Sequence, residues 1–572
     1  MKLKKQLVSL LIICTCLISS CSHIPTNADA AFENFTLTLF QQDMASSTLA
    51  LHYSVEHPED YGIASSEITF GSYETDSTET MASLENCQAL LHKFSYKSLS
   101  EKNQLTYDIL TSYIKTALEG ASYTLYEEPL SPLTGIHAQL PVLLAEYSFH
   151  SAEDVETYLQ LIETTPAYFT SLIQFEQAKA NAGLFMSDTI VEEVLAQCNA
   201  FLTMGEENYL LSTFEERLTA LENITKTQKS DYIAQNQTLL ESAVLPAYQQ
   251  LVDALSELKG SGKNELGLCY LPKGKEYYCY LTERETGSSR TMDEIISLME
   301  TQISLDLLAL HSVIEANPSI IETVENEISA SPDQILSNLE EKIIGAFPET
   351  TNTNVTIKYV PSSLEDYLSP AFYLIPAIDN SSENVIYINP ASSLEDIHLF
   401  TTLAHEGYPG HLYQTTYFAS TDPDPVRSLF NFKGYVEGWA TYAEMCSYYL
   451  SSYEKPYATL LQKNNSLILG LYAMADVGIH YQGWNLERTI QYFSDYGIEN
   501  EEAIQEIYKL IIGDPANYLS YYLGYVEILD LKQEMISQEA NGFSQKNFHR
   551  KFLDIGPAPF DIVRKEMLGD AS

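Results

Sequence analysis

Residues 403–411 contain two histidines and a glutamate in an order typical of peptidases that use zinc. His405 and Glu406 are adjacent, and His411 follows. In such sites two neutral imidazoles bind the metal, and the glutamate accepts a proton from the attacking water. The usual HExxH spacing places the histidines four residues apart on one helical face. Here they are six residues apart, about 120° around a regular helix.

This spacing lets both histidines reach one ion only if the helix is interrupted. Pro409 and Gly410 lie where the interruption is needed, since proline removes a helical hydrogen bond and glycine tolerates unusual dihedral angles. We predict a broken or bulged helix that returns His411 to the site. In the alternative, a helix ends at Tyr408 and His411 is a cap or core residue. The spacing by itself favours that alternative, but the downstream residues favour the site.

A third ligand is expected on a later helix, and Glu437 lies 26 residues after His411. Glu437, Thr441 and Glu444 fall along one helical face. In one assignment Glu437 binds the metal and Glu444 accepts a hydrogen bond from an imidazole. We expect this assignment; in the alternative, Glu444 binds the metal and Glu437 supports the imidazole. Aromatic and small residues surround both carboxylates in the sequence, where an unpaired charge would be costly.

Two later segments carry groups that could stabilise an oxyanion. Asp476 precedes His480 by about one helical turn, so its carboxylate could orient that ring. Residues 514–524 hold a cluster of tyrosines that ends in glycine. A tyrosine hydroxyl or a histidine N–H directed at the oxyanion contributes to the rate of hydrolysis. Each of these residues, taken singly, is more commonly structural.

The pattern of apolar residues predicts a mainly α-helical protein with a small β element. Three- and four-residue spacing indicates helices through much of 36–345, with starts after Ser151 and Ser331, and a loop at 129–135. Residues 355–360, 371–376 and 384–388 read as strands. From residue 394 onward the pattern is helical again. We expect a single domain over 36–568, either undivided or split into lobes at 36–345 and 346–568.

The first 21 residues have the pattern of a secretory signal. Three lysines precede an apolar run at 7–18, which ends in Ile18-Ser19-Ser20-Cys21. This junction resembles a bacterial lipobox, which predicts a signal peptide at 1–20, lipidation of Cys21 and a tether at 21–35. An ordinary signal peptide with Cys21 present by chance is the alternative. No later segment is apolar enough to span a bilayer, so we expect membrane attachment through the lipid alone, on the extracytoplasmic side.

Composition narrows the possible partners. The net charge of −47 argues against nucleic acid, whose phosphates require a basic surface. Such acidity is typical of a solvated surface, although it would also attract cationic substrates. Five of the eight cysteines lie after Cys21, an odd number without a CxxC pair. Cys269 and Cys279 could form a disulfide across a hairpin.

Five ordered motifs resemble a bacterial family catalogued as domain of unknown function 885 (DUF885). They are HEGYPGH, EGWATYAE, DVGIH, PANYLSYYLG and FHRKFLDIGPAPF. The segments LPKGKEYY and NVIYINP also match, so the resemblance covers residues 35–568. It implies a gluzincin-like zinc peptidase, in a family with many secreted or lipid-anchored members. The implied architecture is similar to the helical peptidases thimet oligopeptidase, angiotensin-converting enzyme and carboxypeptidase Taq.

The resemblance also implies roles for single residues. His405 and His411 match the family's histidines, Glu437 matches the glutamate of its EGW motif, and Glu406 matches the residue expected to be its base. Tyr521 and His480 match its later tyrosine and histidine, the candidates for oxyanion stabilisation. The chain departs from the family at Leu412, where many members have histidine, and at Asn517-Tyr518, where Gln-Ala is commoner; the second departure would alter the pocket.

The expected function is therefore zinc-dependent hydrolysis of peptide bonds, in short peptides, at the outer face of the membrane. The strand at 384–389 is expected to bind the substrate backbone by β-addition. One alternative is a peptide-binding lipoprotein without catalysis, which the presence of Glu406 disfavours. Another is an amidohydrolase acting on non-peptide or cell-wall amides, for which no cell-wall-binding repeat is present. Oligomeric state does not follow from the sequence.

Overall fold

Helices make up most of the chain, as the apolar spacing predicted. The computed structural model describes residues 27–569, apart from 64–66, 223, 323–329, 351–352, 361–364, 366–367 and 393–395. The expected signal peptide at 1–20 and Cys21 lie outside these residues. Among the described helices, none is long and apolar enough to cross a membrane.

Fourteen α-helices precede the sheet in the described residues. They are α1 (Ala28–Met44), α2 (Thr48–Ser54), α3 (Thr78–Leu91), α4 (Glu101–Gly120), α5 (Ile136–Ala145), α6 (Ala152–Glu163), α7 (Thr165–Ala182), α8 (Asp188–Leu202), α9 (Tyr209–Ala220), α10 (Lys226–Leu239), α11 (Leu245–Leu258), α12 (Gly274–Thr286), α13 (Met292–Ala316) and α14 (Pro332–Lys342). A π-helical turn, Leu240–Val244, joins α10 to α11.

Nine α-helices follow the sheet within the same described part of the chain. They are α15 (Asp396–Glu406), α16 (His411–Ser420), α17 (Lys433–Ser447), α18 (Lys455–Val477), α19 (Leu486–Ser494), α20 (Glu501–Gly513), α21 (Asn517–Glu539), α22 (Gln545–Ile555) and α23 (Phe560–Leu568). A second π-helical turn, Gly478–Gln482, extends α18.

Local hydrogen bonds explain why the predicted helix starts are correct. The Ser151 side chain accepts from the backbone of Asp154, whose carboxylate accepts from the Ser151 backbone in return. Ser331 forms the same reciprocal pair with Gln334 at the start of α14. Each pair satisfies two backbone donors that a helix end would otherwise leave open.

The helix α1 corrects the expected tether. It begins at Ala28, directly after the Asn27 cap, and it buries Phe32 and Phe35 in the core. Two aromatic rings removed from water stabilise the folded state by several kcal/mol, roughly 1.5–3 each. Residues 28–35 therefore belong to the folded body, and a tether would be confined to the residues before them.

Three short strands form one mixed sheet: β1 (Asn354–Tyr359), β2 (Ala371–Leu374) and β3 (Glu383–Ile388). Each lies within two residues of its predicted position. The order is β1-β3-β2, with β3 parallel to β1 and antiparallel to β2. Because β3 is central, both of its edges are already paired. The expected β-addition of substrate to residues 384–389 is therefore wrong for this strand, and β2 offers an outer edge instead.

Two hydrophobic cores lie side by side in the described residues. The smaller one is built mainly from α5–α11 and also takes Val360, Phe372 and Tyr387 from the sheet region. The larger one joins the first four helices to the second half of the chain. The boundary near residue 345 that we expected between lobes does not separate these cores, because the N-terminal helices pack with the C-terminal ones.

Candidate metal centre

The predicted helix break is confirmed. The helix α15 ends at Glu406, and α16 begins at His411 after a turn with a cis Tyr408–Pro409 bond. A Cβ at Gly410 would lie 1.8 Å from the His405 carbonyl oxygen and 2.4 Å from that of Ala404. Only glycine allows this approach, which folds the start of α16 back against the end of α15.

Side chains from other elements hold this turn in place. The indole N–H of Trp439, on α17, donates to the carbonyl oxygen of Pro409 at 2.9 Å. The hydroxyls of Tyr408 and Thr353 lie 2.8 Å apart, so the turn is also joined to the residue before β1. Trp439 is completely buried, and its position fixes α17 relative to the turn.

The break brings three ligand-type side chains together. One carboxylate oxygen of Glu437 lies 3.1 Å from Nε2 of His411 and 3.6 Å from Nε2 of His405. One potential ligand atom from each of the three residues lies within 4.8 Å of the other two. His411 and Glu437 are buried, with exposures of 6% and 5%. Two imidazoles and one carboxylate around a common point are a donor set that zinc accepts.

Glu444 occupies a different position from Glu437. Its carboxylate lies 3.1 Å from Nδ1 of His405, the ring nitrogen opposite the one that faces Glu437. The other Glu444 oxygen accepts from the Asn465 amide at 2.9 Å. This geometry suits a carboxylate that orients the imidazole, and it favours Glu437 as the third ligand.

The electrostatics of the cluster favour a cation. Burial lowers the pKa of His405, but hydrogen bonds to Glu437 and Glu444 outweigh it and raise the pKa to about 10. The carboxylates thus stabilise positive charge on or beside the imidazole. A divalent ion supplies such charge, so the residues present fit zinc in both donor type and charge.

Glu406 is held next to the cluster but outside it. Its carboxylate accepts from the backbone N–H of Tyr373 at 2.8 Å, so the outer edge of β2 faces the end of α15. The carboxylate next to the first histidine of the motif is therefore held in place by a strand of the sheet. The sequence could not predict this contact, because Tyr373 lies 33 residues before Glu406, in a different secondary-structure element.

Tyr521 lies beside His405, on the second turn of α21. Its ring is 6.4 Å from the His405 ring, measured between centroids, and the two planes are tilted by 26°. The Glu437 carboxylate, burial and the Glu406 carboxylate together raise the pKa of Tyr521 well above its ordinary value. The hydroxyl therefore stays protonated near neutral pH and can donate a hydrogen bond.

Close packing of α17 on α21 positions Tyr521. A Cβ at Gly438 would lie 2.4 Å from the carbonyl carbon of Gly524, and one at Gly524 would lie 2.2 Å from the Gly434 oxygen. The helices touch through their backbones at these glycines. The motif EGW therefore holds Glu437 and Gly438, and YYLG holds Tyr521 and Gly524, so each combines a candidate site residue with a glycine that allows the two helices to meet.

His480 and Asp476 have partners other than those expected. In His480, Nδ1 accepts from the Leu268 N–H at 3.1 Å and Nε2 donates to the Ile511 carbonyl at 2.9 Å. Burial lowers the pKa of His480 to about 4, so the ring is neutral. With both nitrogens engaged, this ring has no donor to offer to an oxyanion in this structure.

Asp476 does not orient His480. Its Oδ1 accepts from the Tyr278 hydroxyl at 2.6 Å and from the Ala516 N–H at 3.0 Å. The carboxylate thus ties α18 to α12 and to the residue that precedes α21. In a regular α-helix, Asp476 and His480 would lie one turn apart on the same face. Because π-helical geometry begins at Gly478, between them, their side chains point in different directions.

Lys433 is a residue near the site that the motifs did not single out. It begins α17, one turn before Glu437, and its ammonium lies 5.6 Å from the centroid of the Tyr521 ring. The spacing of four residues from Glu437 was a signal that could have identified it. The cysteines proposed as a pair, Cys269 and Cys279, are both free thiols in this structure.

The comparisons with known proteins place the chain in a family of unknown function. The bacterial family described as a protein of unknown function, DUF885, matches residues 60–567. The curated proteins include none that matches this chain.

Two solved structures share the fold. A candidate lipoprotein from Colwellia psychrerythraea is 19% identical, with a TM-score of 0.80 over 94% of this chain and 98% of that one. A candidate lipoprotein of unknown function from Shewanella oneidensis is 18% identical, with a TM-score of 0.63 over 94% and 99%. The chain therefore spans almost the whole length of both proteins.

Proposed function

Because the chain belongs to the bacterial DUF885 family and brings His405, His411 and Glu437 within 4.8 Å of one another, we propose that it is a zinc-dependent hydrolase of peptide bonds. That convergence is the observation on which the proposal depends. The histidines come from two helices and the carboxylate from a third. Such an arrangement of buried groups is costly unless a cation compensates the charge.

The chemistry follows from the positions of the groups around the cluster. His405, His411 and Glu437 would hold the ion, which, when bound, polarises a carbonyl and makes water more acidic. Glu406 would accept the proton of the attacking water and later deliver it to the leaving amine. The Tyr373 N–H, by holding one oxygen of Glu406, keeps that carboxylate beside the cluster.

Tyr521 would stabilise the oxyanion. Its phenol lies against His405 and remains protonated, since the surrounding carboxylates oppose its ionisation. Because this hydroxyl is already in place before the reaction, little free energy is spent on reorienting it as negative charge develops on the oxyanion. The same role for His480 has no support, because both its nitrogens are engaged elsewhere.

The outer edge of β2 would bind the substrate backbone. Alternate residues of a strand direct their backbone groups to opposite edges, and the Tyr373 N–H points to Glu406 rather than to β3. Ala371 and Tyr373 therefore face this edge, beside the proposed base. Because the Tyr373 N–H is occupied by Glu406, an extended peptide added there would pair with the backbone groups of Ala371 and with the Tyr373 carbonyl, next to the catalytic groups.

We further propose that the protein is anchored by lipid at Cys21, outside the cytoplasm. The basic start, the short apolar run and the Ile18-Ser19-Ser20-Cys21 junction support this location. The solved relatives described as candidate lipoproteins agree with it.

The substitution Glu406→Gln tests the enzymatic proposal. It keeps the size of the side chain but cannot accept a proton, so kcat on a peptide library should fall by about 10²–10⁴-fold. Zinc content and peptide affinity should remain, as measured by metal analysis and calorimetry. Glu454→Gln, an exposed carboxylate at the start of α18, is the matched control and should cleave like the wild type.

Three results would argue against the proposal in different ways. Loss of zinc from Glu406→Gln would place this residue among the ligands. Equal and negligible cleavage by zinc-loaded wild type and variant, with peptide binding intact, would favour a non-catalytic peptide-binding protein. Cleavage of non-peptide or cell-wall amides in place of peptides would favour an amidohydrolase.

A further inference from the structure

Lys433 holds its ammonium at the edge of the proposed active site. Nζ donates to the side-chain oxygen of Asn517 at 2.7 Å and lies 5.6 Å from the centre of the Tyr521 ring. The residue is half-buried, at the first position of α17, and Glu437 follows it by one turn on the same face. Two contacts from α21 therefore fix a long, flexible side chain beside a proposed catalytic group.

Lys433 is a cation in strongly acidic surroundings. Acidic residues outnumber basic ones by 78 to 31, and Glu406 and Glu437 both lie near Tyr521. Half-buried lysines elsewhere differ in their partners: Lys463 pairs with Asp306 at 2.8 Å, whereas Lys532 donates to the Tyr442 hydroxyl at 3.0 Å. The hydrogen-bond acceptor of the Lys433 ammonium is a neutral amide oxygen, that of Asn517.

The distance between the Lys433 ammonium and the candidate metal ligands limits where a bound substrate anion can lie. The Lys433 ammonium is 5.6 Å from the Tyr521 ring, and that ring is 6.4 Å from His405. The ammonium thus lies at most about 12 Å from the metal-binding imidazole, a span that about three to four extended residues would cover. An anion bound by Lys433 would therefore belong to a substrate residue no more than about three to four positions from the cleaved bond.

We infer that Lys433 binds a carboxylate of the substrate, so that the site selects short peptides carrying this group within about three to four residues of the cleaved bond. The inference rests on the proposed hydrolysis of peptides. A C-terminal carboxylate and an acidic side chain share this chemistry. The strongly negative protein repels peptides rich in acidic residues, which favours the terminal carboxylate of an otherwise neutral or basic peptide.

The experiment compares three peptides of one otherwise identical neutral sequence. The first ends in a free carboxylate, the second in an amide, and the third is amidated but carries a glutamate near its end. We expect zinc-loaded wild type to prefer the free acid over the amide by at least about tenfold in kcat/KM, mostly through KM. Lys433→Gln should abolish the preference, and Lys433→Arg should restore part of it. Lys455→Gln, an exposed lysine at the start of α18, is the control.

The possible outcomes separate the inference from the function on which it rests. If the wild type prefers the third peptide over the first, Lys433 binds an acidic side chain of the substrate instead of its C-terminal carboxylate. Equal cleavage of all three peptides by the wild type, or a preference unchanged in Lys433→Gln, would overturn the inference while leaving hydrolysis intact.

If no peptide is cleaved, the affinities of the free-acid and amidated peptides for the zinc-loaded Glu406→Gln variant test the inference instead. If this variant binds the free acid more tightly than the amide, and adding Lys433→Gln removes the difference, the carboxylate site stands and the proposed catalysis fails. If the two peptides bind equally, the inference fails as well.

Discussion

The Nδ1 atom of His405 lies 3.1 Å from a carboxylate oxygen of Glu444, while its Nε2 atom faces Glu437 at 3.6 Å. The same imidazole thus contacts two carboxylates of α17 through opposite nitrogens. A hydrogen bond at Nδ1 fixes the tautomer that leaves the Nε2 lone pair for a metal. The two glutamates, seven residues apart on one helix, are therefore expected to differ in function.

Zinc titration distinguishes these two glutamates. Glu437→Gln removes an anionic ligand, so it should leave the protein largely without zinc at stoichiometric metal. Glu444→Gln removes only the partner of the imidazole and should weaken zinc affinity by about 10–100-fold. Competition with a chelator measures both effects. The opposite ranking would identify Glu444 as the ligand.

The contact between α17 and α21 should be sensitive to one methyl group. In Gly524→Ala the new Cβ would lie 2.2 Å from the Gly434 oxygen and 2.9 Å from the Gly438 Cα, where only backbone could move. We expect a loss of about 1–3 kcal/mol or more in the free energy of unfolding. Displacement of Tyr521 should lower kcat as well.

Gly542→Ala is the control for that prediction, because a Cβ there meets nothing within 4 Å. Urea unfolding and steady-state kinetics measure the two variants side by side. Equal stability of both would show that the helices can separate without cost, contrary to the packing argument.

Asp476 should make stability depend on pH. Burial raises the pKa of this carboxyl to about 7, although hydrogen bonds from Tyr278 and Ala516 act in the opposite direction. Because the folded state binds this proton more tightly than the unfolded state, the stability it contributes is complete below about pH 4 and is lost as pH rises through about 7.

Asp476→Asn cannot ionise, so its stability relative to wild type should increase between about pH 4 and pH 8, by at most about 4 kcal/mol. Urea unfolding of metal-free protein at several pH values measures this difference. Asp231→Asn removes an exposed carboxylate on α10 and should show little such dependence. A difference from wild type that is constant with pH would mean that Asp476 titrates normally.

Cys21→Ala should release the protein from the membrane. One thioether-linked diacylglycerol buries two acyl chains, enough for stable attachment, and the variant lacks the acceptor sulphur. Fractionation of cells and mass spectrometry of the mature N-terminus test this. Membrane association that persists in the variant, with an unmodified wild-type N-terminus, would contradict lipidation.

The sequence by itself determined the features that depend on neighbouring residues. Ser151 and Ser331 predict helix starts because a cap is formed with a residue three positions later. Alternating β-branched residues at 355–360, and two further runs at 371–376 and 384–388 separated by a turn, predict the three strands within two positions. The break before His411 follows from Pro409 and Gly410, since their backbone restrictions act where they stand.

Only the tertiary structure decided which of these residues meet. Glu437 and Glu444 share a helical face, and their different positions depend on how α17 packs against α15. The pairing of β3 on both edges and the contact of Glu406 with Tyr373 join segments whose separation in sequence carries no periodic signal. His480 illustrates the same limit, because its partners Leu268 and Ile511 belong to distant segments. Caps and turns are formed by local hydrogen bonds, whereas these contacts arise from packing of the whole core.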